Sequence, residues 1–168
     1  QMLQIDDQQP DAYSQLGFTY IDKMKQYDKA VPELEKALEI RQKWDDNINW
    51  DYAALGQAYH KTGQYNKEKI LYKKAEKLFP HDPFIIRMQA TLSLTEKDTL
   101  AANRYIKEFI SLSKKNSRPE PDITMDVGHI YNEAGMFDKA EELYRKAIAF
   151  PERLDLLYPF SDFLIDTN

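Results

Sequence analysis

Tyr52-Ala53-Ala54-Leu55-Gly56-Gln57-Ala58-Tyr59, continued by Gly63, Tyr65, Tyr72, Ala75 and Pro80, is the stretch from which the fold of the chain can be read. Its apolar residues recur at steps of three and four and never alternate, which is the period of an amphipathic helix and not of a strand. Gly63 marks a turn between two such helical runs, and Pro80 ends the second. The same pattern returns, in whole or in part, three more times. Tyr13, Leu16-Gly17 and Tyr20 lead to Tyr27, Ala30, Leu34 and Ala37; Val127-Gly128 and Tyr131 lead to Gly135, Phe137, Ala140, Tyr144 and Ala147, with Pro151 as terminator. Between them a degenerate copy carries Ile86, Ala90, Ala102, Ile106 and Phe109, with Gln89 and Ser93 where leucine and tyrosine stand elsewhere.

This pattern resembles the tetratricopeptide repeat (TPR), a unit of two antiparallel helices that meet along these residues. The resemblance implies an all-α fold, a right-handed TPR-type α-solenoid of antiparallel helix pairs in which each pair packs on the next. It places Gly56 where the two helices cross too closely for a side chain, with Tyr52 and Tyr59 filling the gap on either side.

In chain order, residues 1–9 read as the tail of a preceding repeat and its connection, in a chain cut from something longer. Repeat 1 spans 10–48, repeat 2 spans 49–82, the degenerate repeat 3 with its long loop spans 83–120, repeat 4 spans 121–152, and 153–168 reads as the first helix of a further repeat or cap. Pro10 opens a helix, where its missing N–H does no harm. Pro32 falls early in the next one and is expected to bend it mildly at most. The interval from Gly17 to Gly56 is longer than the standard unit, and the excess divides between the turn at 23–26 and a prolongation of the second helix through Arg41-Gln42-Lys43-Trp44 before Asp45-Asp46-Asn47 breaks it. Trp44 is expected to cap the core, since large aromatics are mostly buried. Thr95–Asp98 reads as a turn without glycine, and Lys114–Pro121 as a loop. Glu68 stands where the family has alanine at the helix crossing. Its methylene stem is expected to lie along the groove with the carboxylate in water, a buried functional carboxylate being the alternative.

Composition narrows the function. The 168 residues carry 28 acidic and 23 basic side chains, for a formal net charge of −5, so the chain as a whole does not attract phosphate backbones and no nucleic acid partner is expected. The lysines of 61–77 are interleaved with glutamates, as on a solvated helix face. There is no cysteine, which excludes disulfides and thiolate chemistry and fits the cytoplasm and a bacterial periplasm equally. No apolar run is long enough to span a membrane, and the first residues do not have the form of a signal peptide.

No phosphate-binding glycine loop, His-Glu-x-x-His pair or nucleophile elbow is present, so no enzyme activity and no cofactor are expected. His60, His81 and His129 are too few for a convincing metal site. The resemblance implies instead that the first helix of each pair lines a concave groove for a peptide or helical segment of a partner protein. In this register the groove residues are Phe18, Ile21, Trp50, Gln57, His60, Phe84, Arg87, Met88, Met125 and His129, a mixture of aromatics, methionines and polar groups suited to such a ligand. Some members hold chaperone carboxylates with lysines, asparagines and an arginine on successive first helices. Here those faces show Ser14, Phe18, Ala54, Phe84 and Met88, so that clamp is not expected, and Arg87 alone remains as an anion anchor. The alternative is a structural spacer or self-assembly module, with a homo-oligomer formed through 153–165.

Overall fold

The computed structural model of the chain describes residues 9–150. Among them are eight α-helices and no strand: α1 Pro10–Asp22, α2 Tyr27–Lys43, α3 Asn49–Lys61, α4 Tyr65–Leu78, α5 Pro83–Thr95, α6 Thr99–Lys115, α7 Glu120–Glu133 and α8 Phe137–Ile148. The fold is an all-α helical-repeat solenoid. The readings for 1–8 and 153–168, including the terminal helix offered for self-association, lie outside the described residues. The chain divides into two compact units between Met88 and Gln89, within α5.

In the first unit α1 packs on α2, α2 on α3 and α3 on α4. Its core joins Ile21, Ala30, Leu34 and Leu38 to Tyr52, Leu55, Ala58, Tyr59, Ala75 and Ile85. In the second, α7 packs on α8 and α6 on α7, and a core of Met125, Ala140, Tyr144 and Ala147 is flanked by Tyr131 and Ile148.

Close approach of paired helices explains the glycines. A Cβ at Gly17 would lie 2.5 Å from Leu34 Cγ, one at Gly56 2.0 Å from the Tyr72 hydroxyl, and one at Gly128 2.5 Å from Tyr144 Cε1. In each pair one helix offers bare backbone and the other fills the space with a buried side chain. Around this contact the small-residue slots repeat: Ala30, Ala102 and Ala140 are fully buried, and so is Glu68 in the fourth such slot.

The turns between paired helices use a left-handed residue. Gly63 and Gly135 serve there with φ near +70°, and Lys25 and Lys97 take the same conformation, with φ 52° and 62°, in the turns that lack glycine. Start signals are local as well. Pro10 occupies the first turn of α1, and Asp98 Oδ1 accepts from Ala101 N at 3.0 Å to cap α6.

Three boundaries depart from expectation or refine it. The second helix is prolonged and ends at Lys43, but Trp44 stands 53% exposed instead of capping the core, because Asp45 turns the chain away at φ 54°. Helix α6 runs to Lys115, so Lys114 and Lys115 belong to a basic last turn, which complements the negative end of the helix dipole. The connection is correspondingly shorter than Lys114–Pro121, and α7 starts at Glu120.

Gly56→Ala should lower stability by about 1–3 kcal/mol, the usual cost of overpacking a filled site. Adding Tyr72→Leu should cost less in the Gly56→Ala background than in the wild type, because it frees the space the new methyl needs. Urea unfolding of the four proteins of this cycle measures both.

Candidate functional site

One face of α1 carries Asp11, Ser14, Gln15, Phe18 and Asp22, residues separated by whole helical turns. They line a pocket of about 470 Å³, closed by Arg41 from the last turns of α2 and by Ile48, Trp50 and Asp51 at the start of α3. The prolongation of α2 is what delivers Arg41 to this place. Its side chain is 4% exposed, and burial of a guanidinium is costly unless its donors are all taken. Here each nitrogen has a carboxylate: Nε donates to Asp51 Oδ2 at 2.6 Å, Nη1 to Asp46 at 2.5 Å, and Nη2 to Asp11. Burial acts to lower the Arg41 pKa, but the hydrogen bond to Asp11 and the pairing with Asp51 outweigh it, so the net shift is upward and the charge is fixed. Asp51 is as buried as Arg41, whereas Asp11 and Asp46 remain open to solvent.

Next to the pocket, the first turns of α3 and α5 are held side by side by Asp82. Its Oδ1 accepts from Phe84 N at 2.9 Å and Ile85 N at 3.1 Å, capping α5, while Oδ2 accepts from Asn49 Nδ2 at 2.7 Å. This clamp sets Trp50 against Phe84 with ring centroids 4.3 Å apart and tilted by 53°. Both rings are exposed, and the Arg87 guanidinium lies 5.7 Å from the Phe84 ring centre. Two large aromatics stacked at the surface are more than scattered exposed side chains.

The other expected groove residues divide. Gln57 and Met88 are half-buried. His60 is half-buried and turned to its own helix pair: Nδ1 is 3.1 Å from both carboxylate oxygens of Glu68, and the ring meets Tyr65 edge-on at 5.4 Å. Glu68 is therefore not a snorkelling side chain. At 1% exposure its carboxylate is enclosed with the imidazole. Ile21 is a core residue of the first unit and Met125 of the second, so neither presents a side chain to a groove. Their spacing puts them on the first helices, but neighbouring helices cover them. His129 is half-buried, with Nδ1 2.9 Å from the Tyr144 hydroxyl. The sequence reading missed Arg41 and its aspartates. By sequence Asp45-Asp46 reads as a helix break, and Asp11 lies thirty residues from its partner, beyond any local pattern. Among the described residues no group of three His, Cys, Asp or Glu side chains could hold a metal ion, and no helix is long and apolar enough to cross a membrane.

Tetratricopeptide repeat family models match residues 8–81 and 125–152, between them more than half of the chain. The chain belongs to the tetratricopeptide repeat family. Repeats of this class are in general non-catalytic modules of protein–protein interaction, and the chain is accordingly an interaction scaffold. No curated protein matches it. Among solved structures it is similar to PilW, described as a widely conserved type IV pilus biogenesis factor, with a TM-score of 0.64 and 16% identity over 94% of this chain and 70% of that one. It is also similar to a chain of the APC/C hetero-tetramer Cut9–Hcn1, with a TM-score of 0.62 and 16% identity over 96% of this chain, which spans about a third (31%) of that one. A third likeness is to pilF of Pseudomonas aeruginosa, with a TM-score of 0.58 and 20% identity over 92% of this chain and 70% of that one. At these identities the likeness is one of fold.

Arg41→Met should destabilise the protein by about 3–5 kcal/mol, because it leaves Asp51 buried and uncompensated. Arg41→Met combined with Asp51→Leu should recover most of that loss. Thermal and urea unfolding of the single and double variants check this.

Proposed function

We propose that the array binds an extended or helical segment of a partner protein across the exposed surface of α1, α3 and α5, without catalysis. Phe18, Trp50 and Phe84 are the apolar anchors of this surface, and Gln57 and Arg87 are its polar contacts. We also read the helix pairs as four repeats over 10–48, 49–82, 83–120 and 121–152.

The exposed Trp50–Phe84 stack carries the reading. Both rings have helix positions that could have carried lysine or glutamate at no cost to the core. Aromatic anchors with a polar surround are the usual composition of a protein-binding patch. The Asp82 clamp holds the two rings in place before any ligand arrives, so little conformational freedom is lost on binding. The adjoining pocket extends the surface to Phe18.

Selection from a random-peptide phage library against the wild-type protein should yield binders that lose at least tenfold in affinity for a Phe18→Ala, Trp50→Ala, Phe84→Ala triple variant. Circular dichroism confirms that the variant remains helical, and calorimetry reads the affinities. Equal affinity for the two proteins would dismiss this surface.

A further inference from the structure

The pocket beside Phe18 and Trp50 has a chemistry of its own. Its lining carries three carboxylates, Asp11, Asp22 and Asp51, against the single cation Arg41, and Arg41 already spends all its nitrogens on Asp11, Asp46 and Asp51. An anion would meet an excess of negative charge there. A cation would find the opposite, since Asp11 and Asp22 are exposed at the rim.

A second observation points to a ligand. Ser14 lines the same pocket, is 4% exposed, and its Oγ has no hydrogen-bond partner. A buried hydroxyl left unsatisfied costs free energy that a bound donor would recover. The walls complete the requirement, because the rings of Phe18 and Trp50 offer apolar faces that accept an alkyl stem or a delocalised cation.

We propose that this pocket takes a lysine or arginine side chain of the partner segment, its charged head at Asp11 and Ser14, one turn apart on α1, and its stem against Phe18 and Trp50. The proposal deepens the peptide-binding reading and rests on it for the rest of the ligand. The occupant is a basic peptide side chain and not a free metal ion, because an apolar-walled cavity of this size suits a long stem with a charge at its end.

The test titrates the folded protein with N-acetyl-arginine amide, N-acetyl-lysine amide, the neutral isostere N-acetyl-citrulline amide and magnesium chloride, following backbone and indole resonances by NMR. Arginine or lysine amide should shift Ser14, Phe18 and the Trp50 indole saturably, while citrulline amide and magnesium should not. Ser14→Ala, which removes the buried hydroxyl, should weaken this binding by about fivefold with the circular dichroism spectrum unchanged, and binding to the wild type should weaken as salt rises. Equal shifts with citrulline amide, shifts with magnesium alone, or none with any probe would overturn the proposal. Phage-selected peptides that need Trp50 and Phe84 but no basic residue would sink the pocket and spare the wider surface. Selected peptides indifferent to the aromatic triple variant would sink the wider surface, while the titration still judges the pocket on its own.

Discussion

The structure depends on the close crossing of two helices at a residue without a side chain. Gly17 meets Leu34, Gly56 meets Tyr72 and Gly128 meets Tyr144 at distances that leave no room for a methyl group. Once two helices approach this closely, small residues suit the positions flanking the contact, as the buried alanines at 30, 37, 75, 102, 140 and 147 do, with Glu68 the exception. The large residue opposite each glycine is then held in one place. A filled interior tolerates neither added nor missing volume at such a point. Each helix pair therefore repeats the geometry of the last even where Tyr is exchanged for Leu.

This constraint is also why the fold was legible in the sequence. Glycine or alanine at the crossing, a bulky residue on the following helix and, in all copies but that of Glu68, an alanine between them form a pattern that survives in the degenerate third copy, where Ala90 and Ile106 are both buried. The turns were legible for a related reason. Gly63 and Gly135 announce a left-handed residue, while Lys25 and Lys97 do the same work without announcing it, at a strain the packed helices hold in place. What could not be read were features decided between distant residues. Trp44 belongs to the class of residues that are usually buried, and only the backbone direction at Asp45 exposes it. Helix α6 continues into a polar stretch because its buried Ser113 and the residues before it keep the helix docked past the point where composition turns hydrophilic.

The charged groups inside the first unit show how the repeat absorbs departures from its pattern. Glu68 occupies a slot that alanine fills elsewhere, and an enclosed carboxylate would be intolerable alone. His60, one turn along α3 from Gly56, supplies the partner. At the corresponding positions of the other copies stand Ile21, Leu94 and Asn132, so the imidazole and the carboxylate belong together and to one repeat. Arg41 is a larger departure. The added turn of α2 carries a cation into a gap between α1 and α3, and three aspartates from three segments neutralise it. One of them, Asp46, lies in the very break that ends the helix. Buried ion networks of this kind add little net stability over an apolar filling, but they strongly disfavour arrangements in which a partner is missing. They fix the placement of α1 against α3.

The site was legible only in outline, and the reason lies in the same geometry. Packing consumes the face of each first helix that carries glycine and alanine, leaving the position six residues earlier free of core duty. In the four copies this position holds Asp11, Trp50, Phe84 and Asp122. Sequence spacing picks out that row, in which Trp50 and Phe84 stand exposed. It could not tell which members of the neighbouring rows are covered by the next helix, and so it also took in Ile21 and Met125. At Trp50 and Phe84 the core does not dictate the residue, whereas Asp11 is held by its bond to Arg41. An aspartate there is unremarkable, whereas two adjacent exposed aromatics bring a solvation cost that the fold itself does not require. Asp11 lines the pocket with Phe18 and Trp50, and Trp50 meets Phe84, so one continuous surface of the first unit passes from charge to the aromatic pair. Two clamps lie along this surface: Arg41, near the end of α2, holds Asp11 and Asp51 under the acidic part, and Asp82, just before α5, holds Asn49 under the aromatic part. The contacts that hold the first helices in register thus also fix the positions of the exposed aromatics.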